Sequence, residues 1–120
     1  MKKVLVADDK APNRELIRTI LEQAGHTVLE ASNGAEALQH AEQHLPDLIV
    51  LDLHMPMVDG FGVLETLRHD QRFAATPIVA LTASAMQGDR ERALAAGFTG
   101  YISKPISLSE LRSEMERWLA

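Results

Sequence analysis

The stretch VLVADDKAPN, residues 4–13, decides how the rest of this chain is interpreted. Its apolar run, Val4 to Ala7, stops at two adjacent carboxylates, Asp8 and Asp9. A short, nearly continuous apolar run predicts a buried strand. Two acids at the end of such a strand need a cation, a shared proton or full exposure to solvent. Residues elsewhere in the chain decide among these three.

Composition limits the class of protein. The length of 120 residues predicts one domain spanning residues 1–120. There are 12 Lys and Arg against 17 Asp and Glu, and no basic cluster contains aromatic residues, so direct nucleic-acid binding is not expected. The absence of cysteine excludes disulfides and thiolate metal sites. The short apolar run after Lys2 and Lys3 is too brief for a signal peptide or membrane span, which predicts a soluble, cytoplasmic protein.

The apolar pattern alternates between short β-rich runs and longer segments of helical period. This alternation is typical of βα units that build a parallel sheet, and five such units are predicted. The predicted strands are Lys3–Ala7, Thr27–Ala31, Leu48–Asp52, Pro77–Thr82 and Gly100–Ser103. The predicted helices are Asn13–Ala24, Gly34–Gln43, Gly60–His69, Met86–Ala96 and Ser107–Leu119.

Local signals mark several helix ends. Gly25 and Gly97 are expected to end the first and fourth helices in a left-handed conformation, and Ser107 to cap the fifth. The predicted inner face of the first helix consists of Leu16, Ile17, Ile20, Leu21 and Ala24. The predicted inner face of the fifth helix consists of Leu108, Leu111, Met115 and Trp118.

Polar residues stand where the predicted strands end. The first strand is followed by Asp8 and Asp9, the third and fourth end at Asp52 and Thr82, and the fifth is followed by Lys104. Ligands of open parallel sheets bind beyond the carboxyl ends of the strands. If the strands are neighbours, we expect these side chains to meet in one small site.

The chemistry of this predicted site favours Mg²⁺. Neighbouring carboxylates repel one another, and a hard divalent cation removes that cost. Mg²⁺ prefers oxygen ligands and characteristically uses one or two carboxylates together with phosphate oxygens. The five histidines lack the spacing of a zinc site. Lys104 suits a bound phosphoryl group, so the residues predict a magnesium-dependent phosphate chemistry.

Four segments carry a family resemblance. They are VADDKAPN (6–13), LIVLDLHMPMVDGFGVLETLR (48–68), IVALTASA (78–85) and YISKPIS (101–107). In order and spacing they resemble the receiver domain of two-component response regulators, over essentially the whole chain. The segment from residue 85 to 107 further resembles single-domain, DivK-like regulators.

The resemblance implies a fold and a set of partners. The fold is a flavodoxin-like (βα)5 three-layer sandwich whose parallel five-stranded sheet has the order 2-1-3-4-5. The implied phosphodonor is a sensor histidine kinase or a histidine phosphotransfer protein. The implied output is altered binding of a downstream protein partner, with no nucleic acid or membrane involved and no separate enzymatic substrate.

The resemblance also implies roles for the acids. Asp52 is expected to accept a phosphoryl group from phosphohistidine. Mg²⁺ is expected to bind Asp9, Asp52 and the backbone carbonyl of His54 directly, and Asp8 through water. Transfer of a phosphoryl group depends mainly on alignment and charge neutralisation, which such a site supplies.

Further roles follow for residues of the later strands. Thr82 and Lys104 are expected to contact phosphoryl oxygens, and the bond before Pro105 resembles the cis peptide of the family. Thr82 and Tyr101 are the expected switch residues. The expected donor-docking residues are Pro12, Asn13, Leu16, Pro105 and Ile106.

Three alternative functions remain open at this stage. An aspartyl-phosphate phosphatase or mutase usually has a second acid two residues after the nucleophile, where this chain has His54. A nucleotide-binding module is disfavoured because DDKAPN replaces a glycine-rich phosphate loop. A degenerate receiver that acts as a scaffold is disfavoured by the complete set of acids with Thr82 and Lys104. Separately, Asp8 and Asp52 are common residue types for caps and turns.

Overall fold

A parallel five-stranded sheet forms the centre of the molecule. The computed structural model describes residues 2–82 and 89–119. The strands are β1 (Lys3–Ala7), β2 (Thr27–Ala31), β3 (Leu48–Asp52), β4 (Ile78–Thr82) and β5 (Gly100–Ser103). Their order is β2-β1-β3-β4-β5, with all neighbours parallel, which confirms the predicted topology.

Helices follow the strands and cover both faces of the sheet. They are α1 (Ala11–Gln23), α2 (Gly34–His44), α3 (Gly60–Arg68), α4 (Asp89–Ala96) and α5 (Leu108–Leu119). A short 3₁₀ helix, Gln71–Phe73, lies between α3 and β4 and was not predicted. Among the described residues, no helix combines the length and apolar character needed to cross a bilayer.

Two apolar clusters fill the space between the sheet and its helices. One contains side chains of α2, α3 and α4, and the other contains side chains of α1 and α5. Alternate residues of the strands enter opposite clusters: Leu5 and Ile49 belong to the first, and Val4 and Val50 to the second. Every residue of β3 and β4 is buried, which explains why these strands lack polar alternation.

The element boundaries depart from the predictions by small amounts. The first helix begins at Ala11 rather than Asn13, because Pro12 is tolerated in the first turn, where its missing N–H has no intrahelical partner. The fourth strand begins at Ile78, one residue after Pro77. Pro77 has no N–H to donate to the sheet, although its carbonyl accepts from Ile49 at 3.0 Å. The predicted start of the fourth helix at Met86 lies outside the described residues.

The predicted helix stops are confirmed, but three residues of the predicted inner helix faces are wrong. Gly25 and Gly97 have φ angles of 93° and 117°, and Ser107 Oγ accepts from the Glu110 N–H at 3.1 Å. Leu16 and Leu108, however, are 45% and 48% exposed, and Ala24 at the end of the first helix is exposed as well. Leu16 and Leu108 are at the margin of an apolar helix face, where the sequence pattern does not show how far the neighbouring helix reaches.

The loop after β3 packs closely against the start of α2. A Cβ built on Gly34 would overlap the backbone carbonyl of Val58, which lies in this loop. Asn33 caps α2 through the Glu36 N–H at 2.9 Å, and Asp59 caps α3 through the Gly62 N–H at 2.9 Å. The loop between β3 and α3 is therefore fixed from both sides.

Replacing Gly34 by Ala should destabilise the protein by about 1 to 3 kcal/mol, because the new methyl group meets backbone that cannot rotate away. Urea denaturation measures the effect. Gln39→Ala is the control, since Gln39 is exposed on the same helix, and it should change stability by less than about 0.5 kcal/mol. Helix propensity alone predicts that Gly34→Ala is more stable than wild type. That result would show that the loop containing Val58 moves to accommodate the methyl group.

Candidate functional site

Four strands end at one edge of the sheet and bring the candidate residues together. Asp52 and Thr82 are the last residues of β3 and β4. Asp8 directly follows β1, and Lys104 directly follows β5. The Lys104 N–H donates to the Thr82 carbonyl at 2.6 Å, so the pairing of β4 and β5 continues into the site.

Three carboxylates form the centre of the site. One oxygen of each of Asp8, Asp9 and Asp52 lies within 4.8 Å of the others. Asp8 is fully buried and Asp52 is 3% exposed, whereas Asp9 is exposed at the surface. The cluster therefore has two buried acids at its base and one acid at its solvent-facing edge.

Lys104 joins the two buried acids. Its Nζ lies 2.8 Å from Asp8 Oδ2 and 3.1 Å from Asp52 Oδ2. The Lys104 side chain is 13% exposed, so this contact is shielded from most solvent. The peptide bond between Lys104 and Pro105 is cis, as predicted.

Backbone donors hold the other oxygens of the buried acids. The His54 N–H donates to Asp52 Oδ1 at 3.0 Å, and the Lys10 N–H donates to Asp8 Oδ1 at 2.8 Å. The His54 residue is exposed, so its backbone rather than a buried imidazole meets Asp52. Each buried carboxylate thus receives one backbone donor and shares the Lys104 ammonium.

Burial and charge act in opposite directions on the central groups. Burial raises the pKa of Asp52 and the Asp8 charge raises it further, against the lowering effects of the His54 N–H and Lys104. The net shift is upward. Burial lowers the pKa of Lys104, but the combined effects of Asp8 and Asp52 exceed it and leave the pKa raised. Lys104 therefore stays charged at neutral pH and partly compensates the acids.

The donor set fits a hard divalent cation. Three carboxylate oxygens share a small volume, and one ammonium is insufficient to neutralise three acids. Oxygen ligands of this kind suit Mg²⁺, which commonly retains several waters and uses few carboxylates. Exposed Asp9 provides the side from which a hydrated ion can enter.

The predicted switch residues lie on neighbouring strands. Thr82 is fully buried. Tyr101 is half-buried and packs against the apolar cluster formed with α2, α3 and α4. In the register of β4 and β5, Ala80 pairs with Tyr101 and Thr82 pairs with Ser103. Tyr101 also lines a surface concavity with Arg90, Arg117 and Trp118.

The predicted docking residues lie in two segments, one that begins α1 shortly after Asp9 and one that follows Lys104. Pro12 and Leu16 are exposed on α1, with Asn13 half-buried between them. Pro105 is exposed after the cis peptide, and Ile106 is half-buried against the cluster beneath α1 and α5. We call the four apolar residues among them, Pro12, Leu16, Pro105 and Ile106, the apolar rim.

Sequence reasoning missed Arg14, whose guanidinium binds the backbone of the site. Arg14 donates from its Nη1 to the backbone carbonyl of Asp8 at 2.6 Å, and its Nε lies 3.2 Å from Glu30 Oε1. An arginine one turn into a helix after an acid pair was the available signal. Its partner Glu30 stands 16 residues away on β2, so the contact depends on strand order.

Comparisons with known sequences agree with this architecture. The family model of the response regulator receiver domain matches residues 4–116. The polar-differentiation response regulator DivK of Brucella anthropi is 38% identical over 118 residues, covering 98% of this chain and 96% of that protein. The DivK protein of Brucella ovis is 37% identical over the same length and coverage.

Solved structures show the same fold. The chemotaxis response regulator CheY4 of Vibrio cholerae has a TM-score of 0.92 and 32% identity, with 98% of each chain covered. The receiver domain of sensor histidine kinase PA1611 from Pseudomonas aeruginosa has a TM-score of 0.89 and 34% identity, covering 98% of this chain and 97% of that one. That structure has a magnesium ion coordinated in its active site cleft.

Replacing Lys104 by Met should destabilise the metal-free protein by about 3 to 5 kcal/mol, because two buried carboxylates lose their shared cation. Urea denaturation in the presence of a chelator measures the loss. Adding Asp52→Asn to Lys104→Met should recover part of it, since one buried charge is removed.

Lys10→Met is the matched control for this prediction. Lys10 pairs with Asp9 at 3.9 Å and its side chain is 70% exposed, so its removal should cost less than about 0.5 kcal/mol. Equal losses for Lys10→Met and Lys104→Met would contradict a special role for the buried ammonium.

Proposed function

This chain belongs to the response regulator receiver domain family, and on that premise we propose that Asp52 is its phosphoacceptor. Receiver domains of this family act in two-component signalling with histidine kinases and downstream partners. The observation that carries the assignment is the position of Asp52, which is buried at the end of β3 beside Asp8 and within 3.1 Å of Lys104. We extend the receiver domain to residues 1–120, of which the family model covers 4–116.

The geometry prepares Asp52 for an in-line displacement. The His54 N–H and the Lys104 ammonium hold one carboxylate oxygen each, so the carboxylate plane is fixed before a donor arrives. A carboxylate oxygen of Asp52 forms a bond to phosphorus while the bond from phosphorus to the donor histidine nitrogen breaks. The electron pair of the broken bond stays on the imidazole, which takes up a proton as it leaves. Preorganised alignment of this kind is a main source of rate in phosphoryl transfer.

Charge neutralisation is the second contribution of the site. When bound, Mg²⁺ supplies positive charge to the phosphoryl oxygens. We propose that Asp9, Asp52 and the His54 backbone carbonyl hold it, and that Asp8 acts through bound water. Lys104, whose Nζ lies 3.1 Å from Asp52 Oδ2, would contact a phosphoryl oxygen on Asp52. The Thr82 hydroxyl contacts another phosphoryl oxygen.

The output proposed for the site is a change in protein binding. Movement of Thr82 toward a phosphoryl group on Asp52 changes the space available to Tyr101 on the adjacent strand. Tyr101 lines the concavity formed with Trp118 and Arg117 on α5. A two-state rearrangement there would couple phosphorylation to partner affinity.

A phosphatase or mutase that uses Asp52 is less well supported. Such enzymes need a general acid near the nucleophile, and the residue two positions after Asp52 is His54, an exposed residue that meets Asp52 through its backbone N–H. The site therefore supports a phosphoacceptor with its own phosphoryl group rather than turnover of a separate substrate.

Acetyl phosphate with Mg²⁺ should add one phosphoryl group to Asp52. Intact mass spectrometry of the protein measures the addition, and peptide mapping after borohydride reduction locates it. Asp52→Asn and chelation with EDTA should each abolish it, because one removes the nucleophile and the other the cation. Phosphorylation that survives Asp52→Asn would reject the assignment.

Donor docking is tested by a charge on the apolar rim. Leu16→Glu should slow transfer from a phosphorylated histidine phosphotransfer protein by about tenfold or more, because a buried charge at an interface is costly. Labelling by acetyl phosphate should be unchanged. Leu94→Glu is the control, since Leu94 on α4 is 42% exposed against 45% for Leu16. Equal slowing by both variants, or loss of acetyl phosphate labelling, would contradict docking at Leu16.

A further inference from the structure

Arg14 connects three elements near the acidic cluster. It lies on α1, its Nη1 donates to the Asp8 carbonyl at 2.6 Å, and its Nε lies 3.2 Å from Glu30 Oε1 on β2. The Arg14 side chain is 17% exposed and that of Glu30 is 26% exposed. This is a shielded, two-point contact rather than a mobile surface ion pair.

The carbonyl that Arg14 holds belongs to the peptide joining Asp8 to Asp9. The peptide group is planar, so fixing its oxygen also fixes the direction in which the Asp9 backbone leaves. The Asp8 side chain and N–H are held separately, by Lys104, the Lys10 N–H and the Ala31 carbonyl. The ion pair of Asp9 with Lys10 is long, at 3.9 Å, and its lysine is 70% exposed. Asp9 therefore depends on its backbone for orientation.

The guanidinium group is suited to this position. Its nitrogens lie in one plane with fixed directions, so Nε can bind a carboxylate while Nη1 binds a carbonyl. A lysine ammonium at the same place keeps the charge but lacks this rigid fork. Arg14 thus contributes a geometry that charge alone does not reproduce.

A neighbouring arginine provides a natural comparison. Arg18 lies one turn further along α1, and its Nη1 contacts Glu30 Oε2 at 2.9 Å. Its Nε contacts Glu22 at 3.2 Å, and its side chain is 48% exposed. The two arginines share Glu30, but Arg14 has the additional bond to the Asp8 carbonyl.

We propose that Arg14 is a positioning residue for the metal site: held by Glu30, it fixes the peptide between Asp8 and Asp9 and so orients Asp9 toward the cation. The inference rests on the magnesium site proposed above. It assigns a function to a residue that touches neither the metal nor the phosphoryl group.

The test compares Arg14→Gln, Arg14→Lys and Arg18→Gln in the full chain. Arg14→Gln should weaken Mg²⁺ binding about tenfold, the lower range for loss of an outer-shell partner. Arg14→Lys should weaken it similarly, and Arg18→Gln should leave it within about twofold. Calorimetric titration measures the Mg²⁺ affinity of each variant. Urea denaturation measures its free energy of unfolding, so a loss of affinity can be distinguished from a loss of stability.

A metal-free measurement tests the orientation itself. ¹⁵N relaxation should show a lower order parameter for the Asp9 amide in Arg14→Gln than in wild type or Arg18→Gln. If Arg14→Gln does not fold, Glu30→Ala substitutes for it, because it leaves the Arg14 contact with the Asp8 carbonyl but removes the acceptor of Arg14 Nε. Glu30→Ala should loosen Asp9 and weaken Mg²⁺ binding by a smaller factor.

The outcomes separate this inference from the proposed function. The positioning role would be overturned if wild type and Arg14→Gln bound Mg²⁺ with equal affinity, or if Arg14→Lys bound it as tightly as wild type. Either result would leave the metal site intact. An unchanged Asp9 order parameter would overturn the positioning role as well. Failure of the wild-type protein to bind Mg²⁺ would overturn the metal site first and this inference with it.

Discussion

The contact between Lys104 and the buried carboxylates of Asp8 and Asp52 is the interaction on which the site depends. It joins the ends of β1, β3 and β5, which are far apart in the chain. Two buried acids without a cation are costly, and a single ammonium shared between them compensates them incompletely. The acidic cluster therefore keeps negative charge that the Lys104 ammonium does not compensate. Such uncompensated negative charge favours the binding of a cation at this edge of the sheet.

The placement of that contact follows from how the sheet is covered. Helices pack on both faces, so β3 and β4 are apolar along their length. Their polar residues, Asp52 and Thr82, stand at their carboxyl ends. The strands are parallel, so their carboxyl ends meet at one edge. Close packing then holds the loop after Asp52: Gly34 approaches the Val58 carbonyl, and Gly60 approaches the backbone of Asp52 and Leu53. Larger side chains at these glycines would displace the backbone at Val58 and at Asp52 and Leu53.

Strand boundaries were largely predictable; for β1 and β3 the reason is that buried parallel strands are short, nearly continuous apolar runs. Four of the five strands have their predicted bounds, and β4 differs at Pro77, whose missing N–H keeps it outside the ladder. Helix faces were less predictable. Leu16 and Leu108 fit the apolar periodicity of their helices but remain exposed, because the width of a buried stripe depends on the neighbouring elements. The sequence therefore indicated which helices pack on the sheet but overstated how much of each helix is buried.

The sequence by itself determined the class of fold and the chemical inventory of the site: alternating strand and helix patterns, three acids, a threonine and a lysine at strand ends. These are local signals, carried by periodicity and by residue type at a boundary. The tertiary structure decided which of these side chains contact one another. It paired Lys104 with two acids, placed the His54 backbone rather than its ring on Asp52, and brought Arg14 to the Asp8 carbonyl through Glu30. Such contacts join residues on different strands, so they depend on strand order, register and side-chain direction, which no local pattern encodes.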